Sequence, residues 1–422
     1  MINNGVLLNI LKNQVVPAIG CTEPTAVAYA TAKAKELLDE DVKTLDIKVD
    51  KGVYKNGKEV YIPNTDKKGI VMASSLALVN GKAEYELEVL KDITDKDVKK
   101  ALSLVENKII NLSIKKDVEN LFIEAVAKGE NHTAKVLIRN THTNVVLLER
   151  DNECVYIKDE KESNEKSLRD KIRDFSIKEL VEFSDTVDIA DIDFLNEGIK
   201  MNKHIGKKGL DNKLGLGFSS LFATNNKDIK SYAKAITSAA SEARMSGYPL
   251  PVMSSGGSGN QGLVTTLPVA IIGEGLDVSK EKITRGVALS HLLNIYIKTY
   301  TGSLAPICGC GISAGVGASA GIAYILDGDI KKINGAINNM ISGVTGMICD
   351  GAKLGCALKL SIAVASAIDS AYMASNNIFI SPSEGILDGV IEKSIKNLAI
   401  VSTEGMNNTD NVILEVMMHK SC

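Results

Sequence analysis

Gly343-Val344-Thr345-Gly346-Met347-Ile348-Cys349-Asp350-Gly351-Ala352-Lys353-Leu354-Gly355-Cys356 sets two cysteines seven residues apart among glycines and one Asp-Gly step. Just upstream lies Ala305-Pro306-Ile307-Cys308-Gly309-Cys310-Gly311, so four of the seven cysteines fall within 49 residues. The segments flanking these cysteines decide the fold class. Residues 311–326 and 354–375 are long, mostly apolar runs rich in small residues with no strict alternation, and 329–343 repeats its apolar residues at helical spacing; all three read as helices. Moving outward, 191–205, 228–246, 260–274, 279–299 and 383–398 continue the helical pattern, with Gly247-Tyr248-Pro249, Gly302, Gly328 and Pro382 as breakers.

Upstream the period changes. Leu45, Ile47 and Val49 alternate with polar residues, and strand-like runs follow at 109–114, 121–127, 134–138, 144–148 and 154–157. Asn56-Gly57, inside 52–62, predicts a hairpin turn. Helices are expected near 70–78 and 95–105. Before all of these, 5–16 reads as a helix stopped by Pro17, and Thr25 to Leu38 as a second helix behind the turn Gly20-Cys21-Thr22-Glu23-Pro24. Composition marks the boundary between the two regions. Residues 91–200 hold 43 charged side chains, whereas 231–330 hold 12; the first is a solvated unit, the second a buried core. The expected class is therefore α+β, an N-terminal α/β region with an antiparallel sheet followed by a mostly helical C-terminal domain. The expected division is 1–40 for the N-terminal helices, 41–175 for the sheet unit and 176–422 for the helical domain. The charge run Asp159 to Asp174 reads as a solvated helix or linker.

Charge and hydropathy exclude several partners. At 422 residues, net charge −3 and pI about 6.1, the chain offers no electrostatic footprint for nucleic acid or an anionic membrane. Met1 to Val16 lacks the basic start and cleavage site of a signal peptide, so a cytoplasmic protein is expected. Leu304 to Leu326 runs 23 residues without a charge, long enough to span a bilayer. Its Gly, Ala, Ser and Cys content better suits a small-residue helix packed within the protein. An odd number of cysteines argues against a disulfide framework and makes metal or catalysis the default for the clustered ones. The oligomeric state stays open, a homodimer included.

Three motifs could carry chemistry. Cys308 or Cys310, with Cys349 and Cys356, can supply three thiolates, the number that holds a [4Fe–4S] cluster with one iron open. Gly309, Gly311, Gly351 and Gly355 leave room for inorganic sulfide and offer N–H groups to it. Core packing of small cysteines is the plain alternative, and zinc fits these spacings poorly. The second motif is Ser254-Ser255-Gly256-Gly257-Ser258-Gly259-Asn260-Gln261-Gly262, a loop running into a helix and suited to a substrate carboxylate or phosphate. It lacks the Gly-Lys-Ser/Thr ending of a P-loop. A similar loop cups the phosphate in pyridoxal-phosphate dehydratases, but those need an alternating α/β frame. The third motif is Cys21, placed at a helix N-terminus, where the dipole lowers a thiol's pKa. His142 at a strand turn and His291 inside a helix are each structural, a general base or a carboxylate-binding group. Cys154 reads as core or surface, and Cys422 as a tail thiol.

Taken together these passages resemble the iron–sulfur L-cysteine desulfidases, relatives of the iron–sulfur L-serine dehydratases. Gly20 to Thr25, Ser254 to Gly262, Ala305 to Gly311 and Met347 to Cys356 match in order and span most of the chain. The resemblance implies a [4Fe–4S] cluster on Cys349, Cys356 and one of Cys308 or Cys310, with Cys308 favoured, and Cys21 as the base. It implies the reaction of L-cysteine and water to sulfide, ammonia and pyruvate, with the substrate sulfur on the open iron and the cluster doing no redox work. In the related dehydratases a C-terminal cysteine can cap that iron, and Cys422 stands at the matching place. An iron–sulfur serine dehydratase, a pyridoxal-phosphate dehydratase and a non-enzymatic iron–sulfur sensor are the alternative readings.

Overall fold

The structure is a computed structural model that describes residues 4–116, 118, 121–158, 167–223, 228–302 and 304–419. Two hydrophobic cores organise these residues. The first lies under a six-stranded sheet in the order Ile110–Ile114, Thr44–Val49, Phe122–Lys128, Thr133–Arg139, Val145–Arg150, Glu153–Ile157. Alternation sets which face is buried. Leu45, Ile47 and Val49 point inward opposite Ala127, Ala125 and Ile123, and the helices Thr22–Leu38 and Ile70–Asn80 close over them.

The sheet is mixed rather than antiparallel. Thr44–Val49 pairs in parallel with Ile110–Ile114, while the other neighbours are antiparallel. The connection between those two strands explains this, because it runs through three helices, long enough for a parallel crossover. The hairpin expected at Asn56-Gly57 is also absent. Lys51–Gly57 is a helix, capped by Asp50, whose carboxylate accepts from the N–H groups of Gly52 at 2.7 Å and Val53 at 3.1 Å. Its glycines answer packing rather than turning. A Cβ on Gly57 would stand 2.5 Å from Ile70, and one on Gly52 2.5 Å from Leu304.

The second core is helical. Phe194–Asp211, Ile229–Met245, Gly259–Gly275, Lys280–Thr301, Ser313–Ile325, Ile330–Val344 and Cys356–Ser375 follow the expected segments with ends moved by a few residues. Ile391–Ile400 begins later than 383. Ile177–Thr186, with a Ser176/Glu179 capping box, and Thr409–Met418 are helices that periodicity did not reveal. Of the charge run, residues 159–166 fall outside the described residues and Asp170–Asp174 is a 3₁₀ turn. The uncharged stretch from Leu304 does not form one span. It turns at 306–311, and its helix, Ser313–Ile325, has 13 residues, all buried, fewer than the ~20 needed to cross a bilayer. Small residues there let backbones meet: a Cβ on Gly317 would fall 2.3 Å from the Ser290 carbonyl oxygen. Among the described residues Cys356–Ser375 is long and apolar enough to span by length and composition, and half of its window is buried inside the protein (50%).

The two N-terminal helices, grouped above as 1–40, divide between the cores. Asn4–Gln14 packs into the helical core and Thr22–Leu38 into the sheet core. Their connection crosses from one to the other at Cys21. It is held there by Pro17–Ala18, which pairs antiparallel with Val252–Met253.

Candidate functional site

Two short backbone pairings assemble the site. The first is the Pro17–Ala18 pairing. It brings Cys21 beside the Ser254–Gly262 loop, and three further bonds lock the join: Ser254 N–H to the Val16 carbonyl at 2.9 Å, Gly256 N–H to Gln14 at 3.0 Å, and Arg244 Nη2 to Gly20 at 2.5 Å. The second is a bridge between Ile307 and Ile348. Cys308 N–H donates to Met347 at 2.8 Å and Cys349 N–H to Pro306 at 2.7 Å, which sets the two cysteine loops side by side. Cys356 starts the next helix. A small apolar cluster of Cys21, Val60 and Met245, with Ala352, Leu354 and Cys356 packed on it, ties both assemblies together. Gln261 does the same from the loop, since a Cβ on Gly309 would meet its Nε2 at 2.6 Å.

The cysteines share one electrostatic environment. The Cys310 thiol donates to the Cys308 sulfur, which lowers the Cys308 pKa despite burial and raises that of Cys310. Burial also raises Cys349, and lifts Cys356 to about 11. Three of the sulfurs receive backbone N–H donors: Gly311 and Cys310 on Cys308, Gly351 on Cys349, Lys353 on Cys356. The lysines Lys55, Lys353 and Lys359 put positive charge around them. Lys55 is almost wholly buried and pairs with Asp410 at 2.6 Å, while Asp350 is bridged to both Lys353 and Lys359.

This donor set fits an iron–sulfur cluster. Soft thiolates without free carboxylates select Fe–S, zinc or Cu(I), and N–H groups directed at cysteine sulfur are how a protein tunes such a cluster. Among the described residues no three His, Cys, Asp or Glu side chains close up around a single ion.

Cys21 departs from expectation. It is the N-cap of Thr22–Leu38, as the sequence places it, yet its pKa is raised well above the usual thiol value. Burial is the main cause, and the adjacent Glu23 carboxylate adds to it; together they outweigh Arg244 and the helix terminus. Cys21 Sγ donates to Glu23 Oε2 at 2.8 Å. Asn56 Nδ2 donates to the other Glu23 oxygen at 3.1 Å and Thr22 Oγ1 to Oε2 at 3.3 Å. Burial raises the Glu23 pKa, but the His142 charge and the Cys21 hydrogen bond prevail, and the carboxyl lies below its usual value.

The loop is more committed to its own fold than its composition implies. The N–H groups of Ser254, Ser255, Gly256 and Ser258 all bond to backbone carbonyls, and Ser258 Oγ caps the following helix. Gly257, Gly259 and Asn260 keep N–H groups outside that pattern. Behind the loop stands Lys298, whose Nζ donates to the Gly256 carbonyl at 2.5 Å, and Asn294, whose Nδ2 donates to Ser255 Oγ at 2.9 Å. Gln261 Oε1 and Asn294 Oδ1 are buried without partners, as is His142 Nε2.

His142 belongs to the site through its charge coupling to Glu23 and Lys298. His291 does not. It is fully buried, held between Thr265 and Thr266 at 3.2 Å each, and burial lowers it to about 3. Cys154 is exposed on the outer strand, and Cys422 lies outside the described residues. Sequence reading missed Glu23, Asn56, Lys55, Asn294 and Lys298 as site residues. Lys298 left one signal, being the sole charged side chain between Arg285 and Asp327.

Fold and site define a class: a helical core with a cysteine-lined edge, joined to a small α+β unit that completes the site. The family is explicit. Residues 84–415 match the model of the serine dehydratase alpha chain, and the chain belongs to that family. Along nearly its whole length it is also similar to three UPF0597 proteins. That of Clostridium tetani is 58% identical over 421 residues, covering 100% of both chains. Those of Caldanaerobacter subterraneus and Clostridioides difficile are 50% and 43% identical, covering 97–98% of each chain. The family model spans the cysteine loops, Ser254–Gly262 and Lys298 but begins after Cys21, Glu23 and Asn56.

Proposed function

We propose that this protein is an L-cysteine desulfidase, a lyase that converts L-cysteine and water to sulfide, ammonia and pyruvate by β-elimination. The observation that carries the proposal is the Cys21–Glu23 pair in one packed cluster with Cys356, a member of the thiol set that fits an iron–sulfur cluster. Cys308, Cys349 and Cys356 would hold a [4Fe–4S] cluster, which when bound supplies a Lewis-acidic iron with an open position for the leaving group. Cys310, as donor to Cys308, is better placed to support that ligand than to replace it.

The chain's own residues do the rest. Ser254 to Gln261, with Ser254, Gly256, Gly257, Ser258, Gly259 and Asn260 forming the curve, bind the amino acid against the first turn of Gly259–Gly275. Cys21 receives the Cα proton. A thiol raised by burial is scarcely ionised at rest, so its proton must first leave by way of the Glu23 carboxylate to which it donates and on to solvent; the thiolate left behind is then a strong base for the Cα proton. The low exposure of Cys21, Ser254, Ser255, Asn260 and Gln261 keeps water from the reacting carbon, while Gly257 at the tip of the loop faces solvent.

Anaerobic purification tests this reading. The expected result is brown protein with iron and acid-labile sulfide that releases sulfide, ammonia and pyruvate in equal amounts from L-cysteine. Iron-free protein, or a yellow carbonyl-reactive chromophore, would reject it. Pyruvate from L-serine without sulfide from L-cysteine would make it a serine dehydratase. Single Cys-to-Ala changes at 308 and 310, read by iron content, decide the third ligand.

A further inference from the structure

Glu23 and Lys298 are opposite charges buried in one site without forming an ion pair. Each is largely removed from solvent, 7% and 4% exposed. Every partner of Glu23 is neutral: the Cys21 thiol, the Thr22 hydroxyl and the Asn56 amide. Lys298 makes one hydrogen bond, to the Gly256 carbonyl, and so keeps two ammonium donors in reserve. Among the described residues neither has an opposite charge at ion-pair distance. They do sense one another, and His142, brought in by the turn after Thr133–Arg139, senses both. Buried charges are normally paired or bind a ligand.

The other buried cations nearby are occupied. Lys55 pairs with Asp410, and Arg244 spends both terminal nitrogens on Gly20, Asn260 and Met245 in the join between loop and turn, leaving only its Nε, packed against Gly259, without a partner. Lys298 is the cation with a terminal ammonium still holding unused donors, and it sits directly behind the loop.

We propose that Glu23 and Lys298 form a receptor for the zwitterion of a free α-amino acid, Lys298 taking the carboxylate and Glu23 the ammonium. The proposal rests on the β-elimination reading and extends it. Glu23 Oε2 is 2.8 Å from Cys21 Sγ, so an ammonium held there places the adjoining Cα–H beside the thiol. The unpartnered Asn294 Oδ1, one helical turn before Lys298, is a further acceptor in the same wall. Selection follows: a 2-hydroxy acid lacks one charge, an amine the other, and a residue within a peptide both.

The test uses full-length protein purified anaerobically and three probes that cannot release sulfide, measured by calorimetry with methanethiol release monitored alongside. S-methyl-L-cysteine carries both groups, 3-(methylthio)propionate only the carboxylate, and 2-(methylthio)ethylamine only the amine. Wild-type protein is expected to bind the first at least about tenfold more tightly than either other. Lys298→Met should weaken the two carboxylate probes by at least about tenfold and leave the amine unchanged; Glu23→Gln should weaken the two amine probes and leave the propionate unchanged. Equal affinity of wild type for all three, or uniform weakening by either variant, overturns the proposal. If Lys298→Met fails to fold, Lys298→Arg keeps the charge and must keep carboxylate selectivity, and the wild-type series stands by itself. Selective binding without release of sulfide, ammonia and pyruvate would remove the proposed reaction but leave the receptor. Turnover without selectivity would do the reverse.

Discussion

The two cores carry different kinds of information. Under the sheet, every strand is recorded locally: Ile47 is inward because its neighbours alternate, and it is paired with Ala125 by register. In the helical core the local pattern places helices but not function. There the site depends on two pairings between segments far apart in sequence, Pro17–Ala18 with Val252–Met253 and Ile307 with Ile348. The lesson is that the sheet unit is read along the chain and the site across it.

That contrast can be broken by experiment. The largest effect is expected across the chain. Cys21→Ala should lower kcat for sulfide release by about 10²–10⁴ at unchanged iron content, the range for loss of a general base. Retained turnover would move the base elsewhere. In the sheet, Ile47→Ala should cost about 2–5 kcal/mol of stability, as for a buried aliphatic truncation, while the protein that remains folded keeps its iron. Urea unfolding and iron content check both halves, and iron loss in folded Ile47→Ala would mean that the cores are not separable in this way.

The smallest effect concerns His291. Folded, the ring stays neutral down to about 3, whereas in the unfolded chain it takes up a proton near 6.5. The unfolded state therefore binds more protons between those limits. The contribution is fully present above 6.5 and is lost as pH falls, by about 2 kcal/mol from pH 7 to 5. Urea midpoints of wild type and His291→Gln should converge over that interval. A constant difference would contradict the buried, neutral assignment.

Much of this was legible in advance. The strands, most helices, the cysteine loops and the start of a helix at Cys21 follow from alternation, apolar period and turn residues. The failures have physical causes. Asn56-Gly57 looks like a turn in isolation, but the Asp50 cap and the contacts of Gly57 with Ile70 make it helical. The parallel strand pair could not be seen because strand direction depends on how the intervening helices return the chain. Cys21 was placed correctly and its acidity was not, since burial and Glu23 outweigh a helix terminus.

The sequence by itself determined where the thiols, glycines and apolar helices lie, because those depend on covalent spacing and local period. Only the tertiary structure decided which charges share a site. Glu23, Asn56, His142 and Lys298 come from four distant segments with no common spacing. Their surroundings then set their chemistry: burial lifts the Cys21 thiol above its usual range and lowers the Lys298 ammonium to about 8, while His142 and the Cys21 hydrogen bond hold the Glu23 carboxyl below its usual value against burial. Those values arise from the low-dielectric junction where the two cores meet, and no stretch of chain contains that junction.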